Sequence, residues 1–150
     1  MSKEKDTIDA PQMSAAKLRE RMAEHEMKEA EKAIEKQRAM EEEEEKFREF
    51  FMTAKITDEE RLRFRQTVAR LAEQGQTEIC AVSFPSDFCS DGGRRINNNL
   101  PDWEKTLTGR AAQAYRLWEK NAKPLGYKLE ARVLNYPKGM VGDIGLFVKW

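Results

Sequence analysis

The sequence changes character near Phe51, and this change constrains the fold more than any other feature. From Ser14 to Phe51 the chain holds no Gly and no Pro, and Ala, Glu, Lys, Arg and Met dominate. These residues have high helix propensity, so the stretch predicts one long helix. Most turn-forming and aromatic residues come after it. We therefore predict a disordered lead-in at residues 1–13, a charged helical arm at 14–52 and a small α/β domain at 53–150.

The arm and the domain carry opposite charge. Residues 1–52 hold 11 basic and 15 acidic residues, including the five consecutive glutamates from Glu41 to Glu45. Residues 53–150 hold 16 basic and 12 acidic residues. The formal net charge of zero therefore hides an acidic arm and a basic domain, which supports a division into two parts.

The composition excludes several classes of protein. The N-terminus is polar and no apolar run is long enough to span a bilayer, so neither a secretory signal nor a membrane span is expected. Cys80 and Cys89 form no disulfide framework, which favours a soluble cytoplasmic protein with free thiols. These two cysteines and the single histidine, His25, match no zinc spacing, and no nucleotide-binding motif occurs. We therefore expect neither a metal nor a cofactor.

The arm carries an incomplete coiled-coil pattern. The 4-3-4 spacing of apolar residues from Ala23 to Ile34 suits a helix–helix seam, but polar residues occupy the next positions. A second register, through Met40 and Phe47, lacks apolar residues between its members. Two interpretations stay open: a solvated, charged helix, or a helix that docks on a protein partner or on its own copy.

An aromatic cluster ends the arm. Residues 47–52 include three phenylalanines and a methionine, which are too apolar to remain in water, so they should pack on the domain or on a partner. The predicted partner-binding residues of the arm are Met27, Ile34, Met40, Phe47, Phe50 and Phe51.

Two helices are predicted in the domain. Thr57 is followed three residues later by Glu60, which is the capping box of a helix N-terminus. Apolar residues then recur at helical spacing until Gly75, a residue typical of a helix C-terminus. The same spacing predicts a second helix between Leu107 and Pro124.

Three strands complete the domain. Residues 78–84 contain a continuous apolar run, which is typical of a strand covered on both faces and predicts that Cys80 is a core residue. Residues 127–133 and 144–150 alternate between apolar and polar, and a Gly/Pro-rich turn between them predicts an antiparallel hairpin. A helix connects the first strand to the second, which favours a parallel pair. The predicted fold class is α+β: an α-β-α-β-β domain with a three-stranded mixed sheet and helices on one face, preceded by a long charged N-terminal helix.

The loop at residues 85–99 has the composition best suited to ligand binding. It follows a strand and precedes a helix, where α/β units often place their sites. Its glycine pair would let backbone N–H groups approach an anion that an arginine also binds. The alternative is an ordinary Asp-Gly-Gly turn in a polar loop. The predicted anion-binding residues are Gly92, Gly93, Arg94 and Arg95.

Neither catalysis nor nucleic-acid binding is expected. Cys89 is the only candidate nucleophile, and the only histidine lies in the arm, so no base is expected beside it. Four arginines between Arg61 and Arg70 make the first domain helix basic, but no aromatic stacking platform accompanies them.

A series of short motifs runs through residues 52–150: Phe84-Pro85-Ser86, Asp91-Gly92-Gly93-Arg94, Pro101-Asp102-Trp103, Pro124-Leu125-Gly126 and the segment from Gly142 to Trp150. In these motifs the chain resembles a family of small uncharacterised bacterial α/β proteins of unknown function. The resemblance transfers no site residue. It implies that a free-standing domain begins near Met52 and that the arm is a separate module in front of it.

Together these features predict a non-enzymatic interaction or assembly protein. The helical arm would dock onto a larger partner or its own copy, and the C-terminal domain would make a second contact. The alternative function is a small anion- or nucleotide-binding domain, or an enzyme, that uses residues 85–99.

Overall fold

The computed structural model describes residues 12–150, so all but the end of the predicted lead-in lies outside the described residues. The chain forms two compact units, the first ending at Lys46 and the second running from Phe47 to Trp150. The helices and strands are α1 (Ala15–Thr53), α2 (Asp58–Glu73), β1 (Glu78–Pro85), α3 (Arg94–Asn97), α4 (Gly109–Leu117), β2 (Lys128–Val133) and β3 (Asp143–Lys149). A π-helical turn, Trp118–Ala122, continues α4.

The first unit contains most of the predicted arm, residues 14–52, and every residue from Ala15 to Lys46 is exposed. The Ser14 hydroxyl accepts a hydrogen bond from the Lys17 N–H at 3.1 Å, so Ser14 caps the helix as predicted. α1 continues without a break to Thr53. The boundary between the units therefore falls inside a helix, earlier than the predicted boundary at 52/53, and about the last two turns of α1 belong to the second unit.

Phe51 ties the end of α1 into the core of the second unit. Its side chain is only 2% exposed, and its ring centroid lies 5.4 Å from that of Phe84 and 4.9 Å from that of Phe88. Ile144 and Leu146 of the sheet belong to the same buried cluster. Phe51 therefore packs on the domain and is not available to a partner, which corrects its place among the predicted partner-binding residues.

Two side chains of α4 hold the connection between α1 and α2. The Gln113 amide oxygen accepts a hydrogen bond from the Ile56 N–H at 2.9 Å, and its Nε2 donates to the Ala54 carbonyl at 3.0 Å. The Arg110 guanidinium forms an ion pair with Glu60, and its side chain is only 11% exposed. These contacts fix the start of α2 relative to α4.

α2 begins and ends as its sequence predicts. The Thr57 hydroxyl accepts a hydrogen bond from the Glu60 N–H, and the Glu60 carboxylate accepts one from the Thr57 N–H, each at 3.2 Å. This reciprocal pair is the capping box. At the other end Gly75 has a φ of +83°, the left-handed conformation that commonly follows a helix.

The sheet has the strand order β1-β3-β2, and both of its ladders are antiparallel. The α+β class, the three strands and the antiparallel hairpin of β2 and β3 are confirmed. The predicted mixed sheet is wrong, because β3 lies between β1 and β2 and pairs antiparallel with both. The two strands that α4 connects are parallel to each other without being neighbours.

The apolar run of β1 comes from a β-bulge rather than from burial on both faces. Ile79 pairs with Val148 and Val82 pairs with Leu146, and the register shifts between Cys80 and Val82. The extra residue puts Ile79 and Val82 on the same, covered face although they are three residues apart. Cys80 is exposed, so the prediction that it is a core residue is wrong.

We expect the substitution Phe51→Ala to lower the free energy of unfolding by about 3–5 kcal/mol, the range for deleting a buried aromatic ring. The matched control is Phe50→Ala, since the Phe50 side chain is 52% exposed. The control should lose about 1 kcal/mol or less, through its contact with Arg110. Urea denaturation of the full chain measures both, and equal losses in the two variants would contradict the assignment of Phe51 to the core.

Candidate functional site

The arm presents large apolar side chains to solvent. Met27 is 65% exposed, Ile34 57% and Met40 48%, and Leu18 and Met22 are comparably exposed. The first three belong to the predicted partner-binding set, whereas Leu18 and Met22 were missed because they fit neither coiled-coil register. No residue between 12 and 46 covers any of these side chains.

Phe47 and Phe50 are half-exposed members of the second unit. The Phe47 ring stacks on the Phe88 ring with centroids 5.9 Å apart, and its side chain is 43% exposed. The guanidinium of Arg110 lies 4.7 Å from the centroid of the Phe50 ring. Both phenylalanines therefore pack on the domain with one side and keep the other side available.

The amides of the predicted anion loop are engaged by Asp91. One carboxylate oxygen accepts a hydrogen bond from the Gly93 N–H at 3.0 Å, and the other accepts one from the Arg95 N–H at 2.9 Å. Gly92 and Gly93 have φ of +68° and +84°, so their backbone forms the turn that brings the amides to Asp91. A carboxylate of the protein itself thus occupies the place that an external anion would take.

The remaining loop residues serve the packing of the loop. A Cβ at Gly93 would lie 2.8 Å from the Ile144 side chain, so glycine permits the close approach of loop and sheet. The Arg95 guanidinium donates to the Pro101 carbonyl at 2.9 Å, and Arg94 is exposed. Anion binding by Gly92, Gly93, Arg94 and Arg95 stays a prediction, with no contact in the loop that favours it.

The two thiols differ in environment. Cys89 is 4% exposed, and burial raises the pKa of its thiol to about 11, only partly offset by a hydrogen bond with Thr106. A thiol with this pKa is protonated at neutral pH and is a poor nucleophile. Cys80 is exposed on the uncovered face of the sheet, where partial burial raises its pKa as well.

The uncovered face of the sheet carries a closed ion-pair network. The Arg132 guanidinium donates to both carboxylate oxygens of Glu78, at 2.5 and 2.8 Å, and to Glu130 at 3.0 Å. Lys149 donates to Glu130 at 3.2 Å. Hydrogen bonds from Arg132 and Lys149 lower the pKa of Glu130 to about 2. Each charge of the network has a partner, so the network stabilises the sheet without leaving a charge free for a ligand.

A groove of about 510 Å³ lies between α2 and α4, with the covered face of the sheet as its floor. Its lining is mainly apolar and includes Phe64 and Val68 of α2, Leu117 and Trp118 at the end of α4, and Val148 of β3. The sequence pattern marks these residues as the apolar faces of their elements. It does not show that the faces leave space between them, so the groove was missed.

Three arginines border the groove: Arg61, Arg65 and Arg110. Arg110 is paired with Glu60, whereas Arg61 and Arg65 lie on one side of α2, four residues apart. The groove therefore combines an apolar lining with two positive charges at its border.

Comparisons of the chain with protein-family models, with curated proteins and with solved structures found no match. The resemblance of residues 52–150 to small bacterial α/β proteins stays a prediction. Within residues 12–150, no helix has the length and apolar character needed to cross a membrane. The same residues hold no cluster of three or more side chains suited to a metal ion.

We expect Cys80 to react with iodoacetamide in the native protein at pH 8 much faster than Cys89, because Cys80 is exposed and Cys89 is buried. Mass spectrometry of labelled peptides over time measures the two rates. The variant Cys80→Ser should leave only slow labelling, which becomes fast when urea unfolds the chain. Equal labelling of both cysteines in the native protein would show that Cys89 is accessible.

We expect Glu130→Gln to destabilise the protein at pH 7 by about 1 kcal/mol or less, as is usual for partly exposed ion pairs. The lowered pKa of Glu130 means that its carboxylate stabilises the fold above its ordinary pKa of 4.5 and that this contribution disappears as the pH falls towards about 2. Urea denaturation at pH 7, 4.5 and 2.5 should therefore show the variant approaching the parent protein. The control is Glu59→Gln, at an exposed residue outside the network; a deficit that persists at the lowest pH would refute the ionic origin.

Proposed function

We propose that this is a non-enzymatic interaction or assembly protein whose helical arm docks onto a larger partner or its own copy, while the domain makes a second contact. One observation carries the proposal: the arm has no buried residue from Ala15 to Lys46, yet it keeps Met27, Ile34 and Met40 about half exposed or more. Long helices in proteins gain most of their stability from packing of an apolar face. A partner that covers these side chains would supply that packing.

The acidic run favours a partner other than an identical, parallel arm. Glu41 to Glu45 would meet their own copies in such a pair, and like charges facing each other are destabilising. A larger protein that offers an apolar groove with basic residues beside it suits both features of the arm. Self-association remains part of the proposal in an antiparallel form, in which the two acidic runs are apart.

The connection between β2 and β3 is the part of the domain best suited to the second contact. Leu134, Tyr136 and Met140 are 44%, 54% and 72% exposed, which is an unusual concentration of large apolar side chains in one short segment. The Tyr136 hydroxyl donates to the Asn97 side chain at 2.8 Å, which holds the segment against the domain. An ordered apolar segment loses little conformational freedom when a partner binds it.

A non-enzymatic role is supported by the chemistry of the domain. Cys89 is buried with a raised pKa, and the only histidine of the chain is in the arm. The alternative, an anion- or nucleotide-binding domain or an enzyme that uses residues 85–99, stays a prediction, since Asp91 already binds the loop amides. A cytoplasmic location also stays a prediction, based on the free thiols Cys80 and Cys89.

We expect the double substitution Met27→Glu with Ile34→Glu to weaken partner binding at least about tenfold, because each apolar side chain contributes about 1.5–3 kcal/mol when it is fully buried. The full chain and the variant would be cross-linked in native cell extract and the captured proteins identified, with sedimentation at several concentrations to detect self-association.

The matched control is His25→Glu with Ala39→Glu, which adds the same charge at exposed positions on the side of the helix away from Met27 and Ile34. The control should keep the partner or the self-association of the parent chain. A parent protein that sediments as a monomer, and captures the same proteins as the Met27/Ile34 variant, would rule out docking through this surface.

A further inference from the structure

The groove between α2 and α4 has the dimensions and lining of a small-ligand site. Its volume of about 510 Å³ falls within the roughly 300–1,000 Å³ of such sites. Trp118 and Trp150 are among its lining residues, and their indole N–H groups donate to the carbonyls of Tyr127 and Gln76 at 3.1 and 3.0 Å. Because the polar atom of each indole is already bonded, these two side chains offer the groove only apolar surface.

The uncompensated charge at the border of the groove is positive. Glu60 neutralises Arg110, which also lies over an aromatic ring. Arg61 has one ion-pair partner within residues 12–150, Asp58 at 3.6 Å, and the Asp58 side chain is fully exposed. Arg65 makes no ion pair in the same part of the chain. Two positive charges beside the apolar lining are thus left with little compensation from residues 12–150.

We propose that this groove binds a small amphipathic carboxylate, of the class of medium-chain fatty acids. The apolar chain lies against the lining formed by Phe64, Val68 and Trp118, and the carboxylate lies between Arg61 and Arg65. A neutral apolar ligand would leave the two arginines unused. A nucleotide would place its polar ribose against an apolar surface, which is unfavourable without hydrogen bonds to replace those made with water. The site is distinct from the arm surface, so its success or failure leaves the proposed docking function untouched.

The test is a titration of the full chain with decanoate below its micellar concentration, followed by calorimetry and by tryptophan fluorescence. Arg61→Gln with Arg65→Gln should weaken binding about tenfold or more, since the variant loses charge-assisted hydrogen bonds to the carboxylate. The matched control is Arg63→Gln with Arg70→Gln, which removes the same charge from the same helix at residues that do not line the groove. The control should bind decanoate as the parent chain does.

A second variant, Ala72→Phe, tests the apolar part of the site independently of charge. Ala72 is an exposed residue of α2 that lines the groove, so the larger side chain fills space without disturbing the core. It should weaken the binding of both decanoate and decanol, whereas the Arg61/Arg65 variant should weaken the binding of decanoate alone. Absence of decanoate binding, or equal binding by all variants, overturns the proposal. Cross-linking of the groove to an acidic helix of a protein partner, with no binding of decanoate, also overturns the proposal.

Discussion

The burial of the Phe51 ring is the interaction on which the second unit depends. The ring meets Phe84 at the end of β1 and Phe88 in the following loop, so one side chain joins helix, sheet and loop. Gly109, with φ of +53°, opens α4 where a Cβ would collide with the Phe51 carbonyl oxygen, so α4 reaches this position only because the residue has no side chain. A domain truncated to residues 53–150 would lack the Phe51 ring, although the change in composition places the boundary at residue 53.

Polar and charged groups that already have a partner within the protein differ from those that could bind a ligand. Arg132 is satisfied by Glu78 and Glu130 on the uncovered face of the sheet, and the loop amides are satisfied by Asp91. At the border of the groove, by contrast, the positive charges of Arg61 and Arg65 lie beside apolar surface with little compensation from residues 12–150. In this protein, therefore, basic or glycine-rich segments do not predict ligand binding by themselves. The hydrogen-bond and ion-pair partners of each arginine and each loop amide decide it.

Local signals in the sequence were sufficient to predict the helices and strands, but not how these elements pack against one another. The capping box at Thr57, the left-handed Gly75 and the alternation of the last two strands are short-range effects, and all three are confirmed. The bulge before Val82 explains why the prediction that β1 is covered on both faces is wrong, because an inserted residue turns one covered face into an apparently continuous apolar run. The central place of β3 and the groove depend on how separate elements meet, which periodicity within one element does not encode.

The strand order has a consequence for how the domain is made. β3 is the central strand of the sheet, yet it is the last of the three to be synthesised. Until it leaves the ribosome, β1 and β2 have no partner in the sheet, and their backbone groups and apolar faces are open to other chains. The domain must therefore complete its sheet after most of its length has been translated. A nascent chain stalled before Asp143 would be a substrate for chaperones rather than a partly folded domain.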